Sequence, residues 1–309
     1  MTAAAPEDEF DAEVIAAYGR HLLVRTADGR EWRARPAGRR LSIVCGDRVR
    51  CAADRAHDEV LATAVMPRRT LLARANLRGD SEPIVANVTQ LVVVIAPLPA
   101  PDFFIVDRYL CAATAAGIAG AIAVNKADLE SEPLDAAELV ALDAAGYPHI
   151  ACSAKQRSGL DGLRAQLASG VSVLVGQSGV GKSSIVRALL PDVDIATGEL
   201  MREEEGRHTT TASRAYPLVS GGVLIDSPGV RDFAPAVDLL DERTLGFPEL
   251  ERLARGCRFA DCKHMQEPGC AVISGVETGT VFARRYESYR RLRRRYNDLV
   301  EARGYPKKR

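Results

Sequence analysis

The segment "VSVLVGQSGVGKSSIVRALL", residues 171–190, limits the fold more than any other stretch of the chain. An apolar run enters a glycine-rich loop, Gly176-Gln177-Ser178-Gly179-Val180-Gly181-Lys182-Ser183, followed by Ser184, and an amphipathic stretch leaves it. The loop matches G-x-x-x-x-G-K-[ST] in full. Backbone N–H groups can turn inward around phosphates only where glycines remove Cβ clashes. The helix that follows points its positive end at the same place. In this pattern Lys182 reaches the β and γ phosphates, and the Ser183 hydroxyl is a ligand for Mg²⁺. A plain glycine-rich connector would need neither the strand before it nor the helix after it. A strand, phosphate loop and helix of this kind belong in a parallel sheet covered by helices, so the fold class expected here is α/β.

The preceding hundred residues extend that sheet. "VTQLVVVIAP" is a continuous β-branched run, as expected of a parallel strand buried on both faces. Next come a helical stretch "FIVDRYLCAATAAG", a strand "GIAGAIAV" closing on "NKAD" at 125–128, a helix "AELVALDAAG", a short strand "HIACSAK" and a helix "LDGLRAQLAS". The Asp128 carboxylate suits guanine, whose N1–H and 2-amino group are both donors; adenine would leave the carboxylate unpaired. Asn125 is expected to contact the base edge and the Lys126 stem to cover its face. A backbone N–H of Ser153-Ala154-Lys155 is expected to meet the guanine carbonyl. A base-reading element normally follows a phosphate loop, but here it comes first.

Downstream, "GVLIDSPGV" places Asp226 at a strand end, where a carboxylate holds Mg²⁺, and Gly229, whose N–H faces a γ-phosphate. Between the two lies "GRHTTTASR". One of Thr209, Thr210 and Thr211 is expected to complete the Mg²⁺ shell, Thr210 being the residue chosen. Val230 occupies the position where Ras-like enzymes carry a water-orienting glutamine, so unaided hydrolysis should be slow. His208 is the nearest candidate for a catalytic role, with a solvent-exposed loop histidine as the equal alternative.

Two further regions flank this core. Residues 14–65 alternate short apolar and polar pieces separated by turn residues, the pattern of a small β-barrel. The barrel carries nine arginines between Arg20 and Arg50, which either bind RNA phosphates or form a solvated surface. At the other end, Cys257-x4-Cys262-x-His264-x5-Cys270 offers three thiolates and one imidazole, a closed set suited to structural zinc. Cys45, Cys51, Cys111 and Cys152 lie in apolar stretches and read as inert core thiols. The last stretch, "RRYESYRRLRRRYNDLV", interleaves tyrosines with arginines, either to stack on bases and pair with phosphates or as a solvated helix face. The first thirteen residues carry five acidic and no basic side chains and read as a disordered tail. The formal net charge is zero. No run is long and apolar enough to cross a membrane, and a signal-peptide pattern is absent. Seven cysteines without such a signal favour a reducing, cytoplasmic setting.

The order base reader, phosphate loop, switch loop, DSPG is that of the circularly permuted GTPases. Within that group "GQSGVGKSS", "GRHTTT", "DSPGVRDF" and "CRFADCKHMQEPGCAV" make the chain similar to the ribosome small-subunit-dependent GTPase A family, over nearly all its length. The resemblance implies an N-terminal OB-fold barrel, a circularly permuted P-loop GTPase domain and a C-terminal zinc-binding domain, mainly helical. We place these at 14–70, 71–238 and 239–309, after a tail of 1–13. It implies a GTP hydrolase that takes GTP and GDP, binds the 30S ribosomal subunit and 16S rRNA, and assists late maturation of that subunit. One structural zinc per chain, Mg²⁺ with the nucleotide, a monomer and no membrane partner complete the expectation. The alternative is a GTP-regulated rRNA-binding module in which hydrolysis is incidental.

Overall fold

The computed structural model describes residues 9–19, 21–38, 40–54, 59–75, 81–129, 134–190, 213–227 and 240–302. Five strands form the first unit: β1 (Phe10–Tyr18), β2 (His21–Arg25), β3 (Glu31–Pro36), β4 (Arg48–Asp54) and β5 (Glu59–Val65). They run in the order β1-β2-β3-β5-β4, and antiparallel pairing of β4 with β1 closes the barrel. The β3–β5 pair is parallel and the others antiparallel. Alternation decides what goes inside. In β4, Val49 and Cys51 are buried while Arg48 and Arg50 point out. Strand β1 opens at Phe10, four residues before the boundary expected from sequence. The acidic Asp11 and Glu13 alternate outward with buried Ala12 and Val14, so part of the acidic segment is strand rather than tail.

Strand β1 also leaves the barrel. Its register shifts between Val14 and Ala16, and beyond that bulge Ala16 and Ala17 pair with Arg214 and Ser213. Val14 packs into the barrel core while neighbouring Ile15 packs into the core of the second unit. The barrel is further stitched on by the fully buried Asp47, which accepts from Arg68 Nε at 2.7 Å, and by Gly46. At Gly46 (φ +88°) a Cβ would lie 2.1 Å from the Ala86 carbonyl oxygen, so the close approach requires glycine.

A two-stranded hairpin, β6 (Leu71–Ala75) with β7 (Ser81–Ala86), leads into the second unit. Its elements are β8 (Gln90–Ile95), α1 (Phe103–Ala115), β9 (Ala119–Val124), α2 (Ala136–Ala145), β10 (His149–Ala151), α3 (Leu160–Leu167), β11 (Val171–Val175), α4 (Lys182–Leu189), β12 (Ser213–Pro217) and β13 (Val223–Asp226). The strand order is β10-β9-β8-β11-β13-β12, parallel except for β12. Every residue of β8 is buried, and its two faces feed different cores. Leu91, Val93 and Ile95 pack with α1 and α2; Val92 and Val94 pack with α3 and α4. Strand order reverses between β8 and β11, and the crevice at such a reversal, beyond the strands' carboxyl ends, is where open α/β sheets bind ligands.

The described part of the C-terminal region is helical: α5 (Pro248–Ala254), α6 (Ala271–Glu277) and α7 (Ala283–Ala302), with the cysteine–histidine loop between α5 and α6. Helix α7 lies against α1. Its Arg285, 1% exposed in the side chain, donates to Glu249 Oε1 and Oε2 at 2.7 and 2.9 Å and to Asp107 Oδ1 at 2.6 Å. Arg284 pairs with Asp107 and Glu138. Arg293 and Tyr289 are buried as well, and Arg293 donates to the Arg243 carbonyl. Much of the tyrosine–arginine interleaving is therefore interior packing. Only the outward arginines of α7 remain for a partner.

Candidate nucleotide site and metal centre

Four loops meet at the carboxyl ends of β8, β9, β10 and β11. Gly176 starts the phosphate loop with φ +139°, where a Cβ would lie 2.2 Å from the Val94 carbonyl oxygen. The loop therefore leaves β11 pressed against its neighbour β8, which only glycine permits. Lys182 Nζ donates to the carbonyls of Gly176 and Gln177 at 2.6 and 2.7 Å, so the ammonium is held over the loop it serves. Ser183 is half-buried and Ser184 exposed at the first turn of α4.

Asn125 joins three of these loops. Its Nδ2 donates to the Val180 carbonyl at 2.8 Å, and its Oδ1 accepts from the Ala154 N–H at 3.1 Å. The residue is 2% exposed. Its amide bonds protein backbone at both ends and so braces the pocket, while it still lines the cavity with a second N–H to offer. Gly181 packs on it: a Cβ there would sit 2.2 Å from Asn125 Nδ2.

Lys126 takes a left-handed backbone (φ +59°), and its Nζ donates to the Leu98 carbonyl at 2.7 Å. Its stem thereby lines the cavity. Asp128 accepts from the Ser153 hydroxyl at 2.6 Å, a bond that holds its carboxyl below the usual carboxylate range. Ser153 Oγ in turn accepts the Gln156 N–H, and the Ser153 N–H is spent on the Ser158 carbonyl. The donors expected of the Ser153-Ala154-Lys155 turn are thus largely engaged in shaping it.

These groups enclose a cavity of about 340 Å³ lined by Asn125, Lys126, Asp128, Leu129, Ser153, Ala154, Lys155, Gly181 and Ser184. A wider cleft of about 590 Å³ beside Tyr286 and Cys270 lacks any phosphate loop or strand end, so the smaller cavity is the nucleotide candidate. The loop from Leu98 to Asp102, missed in the sequence, lies beside the phosphate loop, with the Pro99 ring facing Gly179 and the Leu98 carbonyl holding Lys126. A proline-rich turn closing a fully buried strand was the available signal.

Asp226 ends β13, whose Ile225 is in register with Val173 of β11, so its backbone terminates beside the strand that carries the phosphate loop. Ser213 Oγ donates to Ser227 Oγ at 2.7 Å and ties β12 to that end. His208, Thr209, Thr210, Thr211, Gly229 and Val230 lie outside the described residues.

Cys257, Cys262, His264 and Cys270 bring their ligand atoms within 4.8 Å of one another. Cys257 Sγ lies 3.5 Å from His264 Nδ1 and 3.9 Å from Cys270 Sγ, and His264 Nδ1 lies 3.4 Å from Cys270 Sγ. A tetrahedron built on Zn–S of about 2.3 Å and Zn–N of about 2.0 Å has edges of roughly 3.5 to 3.8 Å, so the donor set fits zinc. Burial pushes the His264 imidazole down to about 4, which keeps it neutral and ready to ligate at neutral pH. The loop is pinned to α7 by Tyr286, which donates to the His264 carbonyl at 2.8 Å, and by Tyr289, which donates to the Lys263 carbonyl at 2.6 Å.

Known proteins resemble this chain in sequence and fold. A model of the RsgA GTPase family matches residues 65–235. The small ribosomal subunit biogenesis GTPase RsgA of Pseudomonas aeruginosa is 43% identical over 289 residues, covering 92% of this chain and 85% of its own. The protein of the same name from Azotobacter vinelandii is 42% identical over 293 residues, with the same coverage. Among solved structures, YjeQ from Thermotoga maritima superposes with a TM-score of 0.72 at 26% identity, covering 93% of this chain and 98% of that one. YloQ, a circularly permuted GTPase, gives 0.69 at 24% identity, covering 94% and 96%, a likeness of fold alone. With the NKAD segment, the phosphate loop and the cysteine–histidine cluster in this order, on this fold, the chain belongs to the RsgA GTPase family.

Proposed function

We propose that this chain is a GTP hydrolase that binds the 30S ribosomal subunit, assists its late maturation, and couples hydrolysis to release. One observation carries the nucleotide half: Asp128, oriented by Ser153, stands in the same cavity as Gly181 and Ser184 of the phosphate loop. A carboxylate there pairs with both donors of guanine. The Ser183 hydroxyl, the Asp226 carboxylate and Thr210 would hold Mg²⁺, which neutralises charge on the phosphates during transfer. Gly229 would offer its N–H to the γ-phosphate. The chain's own part is to cradle the phosphates, exclude adenine and position the water, a role we give to His208 because Val230 has no polar group. One zinc per chain, held by Cys257, Cys262, His264 and Cys270, is structural, since a four-ligand site leaves no open position.

The names of its relatives support the ribosomal half. We place the protein in the cytoplasm as a monomer that touches 16S rRNA through outward arginines. GTP turnover measured alone, with 30S and with 50S particles tests this reading. We expect stimulation by 30S only, of two or more orders of magnitude by comparison with partner-activated GTPases. A His208→Ala protein should bind GTP and 30S and lose most of that stimulation. No effect of 30S on the unmodified protein refutes the proposal.

A further inference from the structure

The outward faces of α1 and α7 carry an arginine cluster that the nucleotide site does not use. The Arg291 guanidinium lies 4.2 Å from the centroid of the Phe104 ring. Arg108 follows Phe104 by one turn of α1, and Arg295 follows Arg291 by one turn of α7. Arg291 and Arg295 are exposed and Arg108 is half-buried. The inward arginines of α7 behave differently, with Arg284 and Arg285 paired to Asp107, Glu138 and Glu249. Among the described residues no carboxylate forms an ion pair with Arg108, Arg291 or Arg295, and the buried Arg108 Nε has no hydrogen-bond acceptor. Burial and then the charge of Arg295 both work against the Arg108 guanidinium, offset in part by Tyr109 and Asp102. A chain with equal numbers of acidic and basic residues thus keeps a like-charge cluster, without a directly paired carboxylate among the described residues, where α1 meets α7. Like charges one turn apart, or facing across an interface, destabilise the protein that holds them.

We propose that Arg108, Arg291 and Arg295 grip the phosphate backbone of RNA, and that RNA relieves the repulsion they carry in the free protein. This rests on the small-subunit reading above and names a contact surface for it. Guanidinium forks match phosphate oxygens in geometry and charge. Arg291 and Arg295 rise about 6 Å apart along the helix, a linear array that successive phosphates of one strand can follow. An acidic protein segment fits less well, because the core of a protein interface is more apolar than its rim. None of the exposed large apolar residues, Leu98, Val140, Val219 and Phe259, belongs to α1 or α7. The surface also bears on the nucleotide. Helix α1 follows the loop whose Leu98 carbonyl holds Lys126 and whose Pro99 faces Gly179, so RNA clasping α1 to α7 steadies that loop beside the phosphate loop.

The proposal makes two readouts move in opposite directions. Full-length protein carrying Arg108→Gln or Arg295→Gln is compared with the unmodified chain in three measurements: 30S affinity across a salt series, affinity for a short RNA duplex, and thermal stability without RNA. Each substitution should lower the slope of log K against log salt by about one, the loss of one phosphate contact. The midpoint of unfolding in low salt should hold or rise. An unchanged salt slope in both variants overturns the proposal, as does a loss of RNA affinity that only follows a fall in stability. Polyglutamate competing as well as RNA overturns the choice of RNA. If the unmodified chain fails to bind 30S, the small-subunit reading falls. The duplex then decides the surface alone, a reduced slope in the variants upholding it and an unreduced one ending it.

Discussion

Truncating Asn125 separates bracing of the pocket from reading of the base. Asn125→Ala leaves the Val180 carbonyl without its donor at 2.8 Å and the Ala154 N–H without its acceptor at 3.1 Å. Leaving a buried polar group unpaired costs about 1–3 kcal/mol. Ala154 lines the cavity, where water can reach it, whereas Val180 is buried, so about 1 kcal/mol for the first and about 1–2 kcal/mol for the second is expected, roughly 2–3 kcal/mol together. At about 1.4 kcal/mol per decade this weakens nucleotide binding roughly 30- to 150-fold. The loss should be the same for GTP, GDP and ATP, because the phosphate loop is common to all three and the Ser153 hydroxyl bond that orients Asp128 is left in place. Fluorescent-nucleotide titrations with guanine and adenine analogues measure it. If Asn125→Ala changes the GTP-to-ATP preference by more than about threefold, the amide does meet the base and the bracing account is wrong.

Asp128→Asn should do the reverse, keeping phosphate affinity while cutting the preference for GTP over ATP by a hundredfold or more, the scale on which hydrogen-bonded sites discriminate; competition titrations read the ratio, and an unmodified protein without preference would end the guanine reading. Metal analysis should find one zinc per chain, and its removal by chelation should unfold the region from Gly256 to Cys270 while GTP affinity survives. Faster hydrogen exchange and proteolysis across that loop without loss of nucleotide binding is the expected pattern; a metal-free chain with that region intact would contradict it. Arg285→Ala should destabilise the chain by about 3–5 kcal/mol, because Glu249 is left buried and unpaired, and adding Glu249→Gln should recover part of it. Chemical denaturation checks both, and equal stability of all three proteins would show the pair to be idle.

The sequence by itself determined the identity and order of the chemical parts. The phosphate loop, Asp128 and Asp226 were legible because each sits at the end of an apolar strand, and the cysteine–histidine cluster because its spacing is local. The strands and helices of the central sheet were legible for the same reason, their apolar runs being long and bounded by turns. Tertiary structure decided what faces what. The turn of Asn125 toward Val180 and Ala154, and of Lys126 toward Leu98, depends on loops up to 55 residues apart, which spacing does not encode. The C-terminal helix shows the same limit. Its arginines look alike in sequence, yet Arg285 and Arg293 are interior while Arg291 and Arg295 face outward. The reason is that partners on other elements, Asp107 and Glu249 for Arg285 and the Arg243 carbonyl for Arg293, stabilise a buried guanidinium, and they meet it only when those elements have packed. The first strand repeats the lesson: Asp11 and Glu13 read as an acidic tail, and only pairing of β1 with β4 made them the outer face of a barrel.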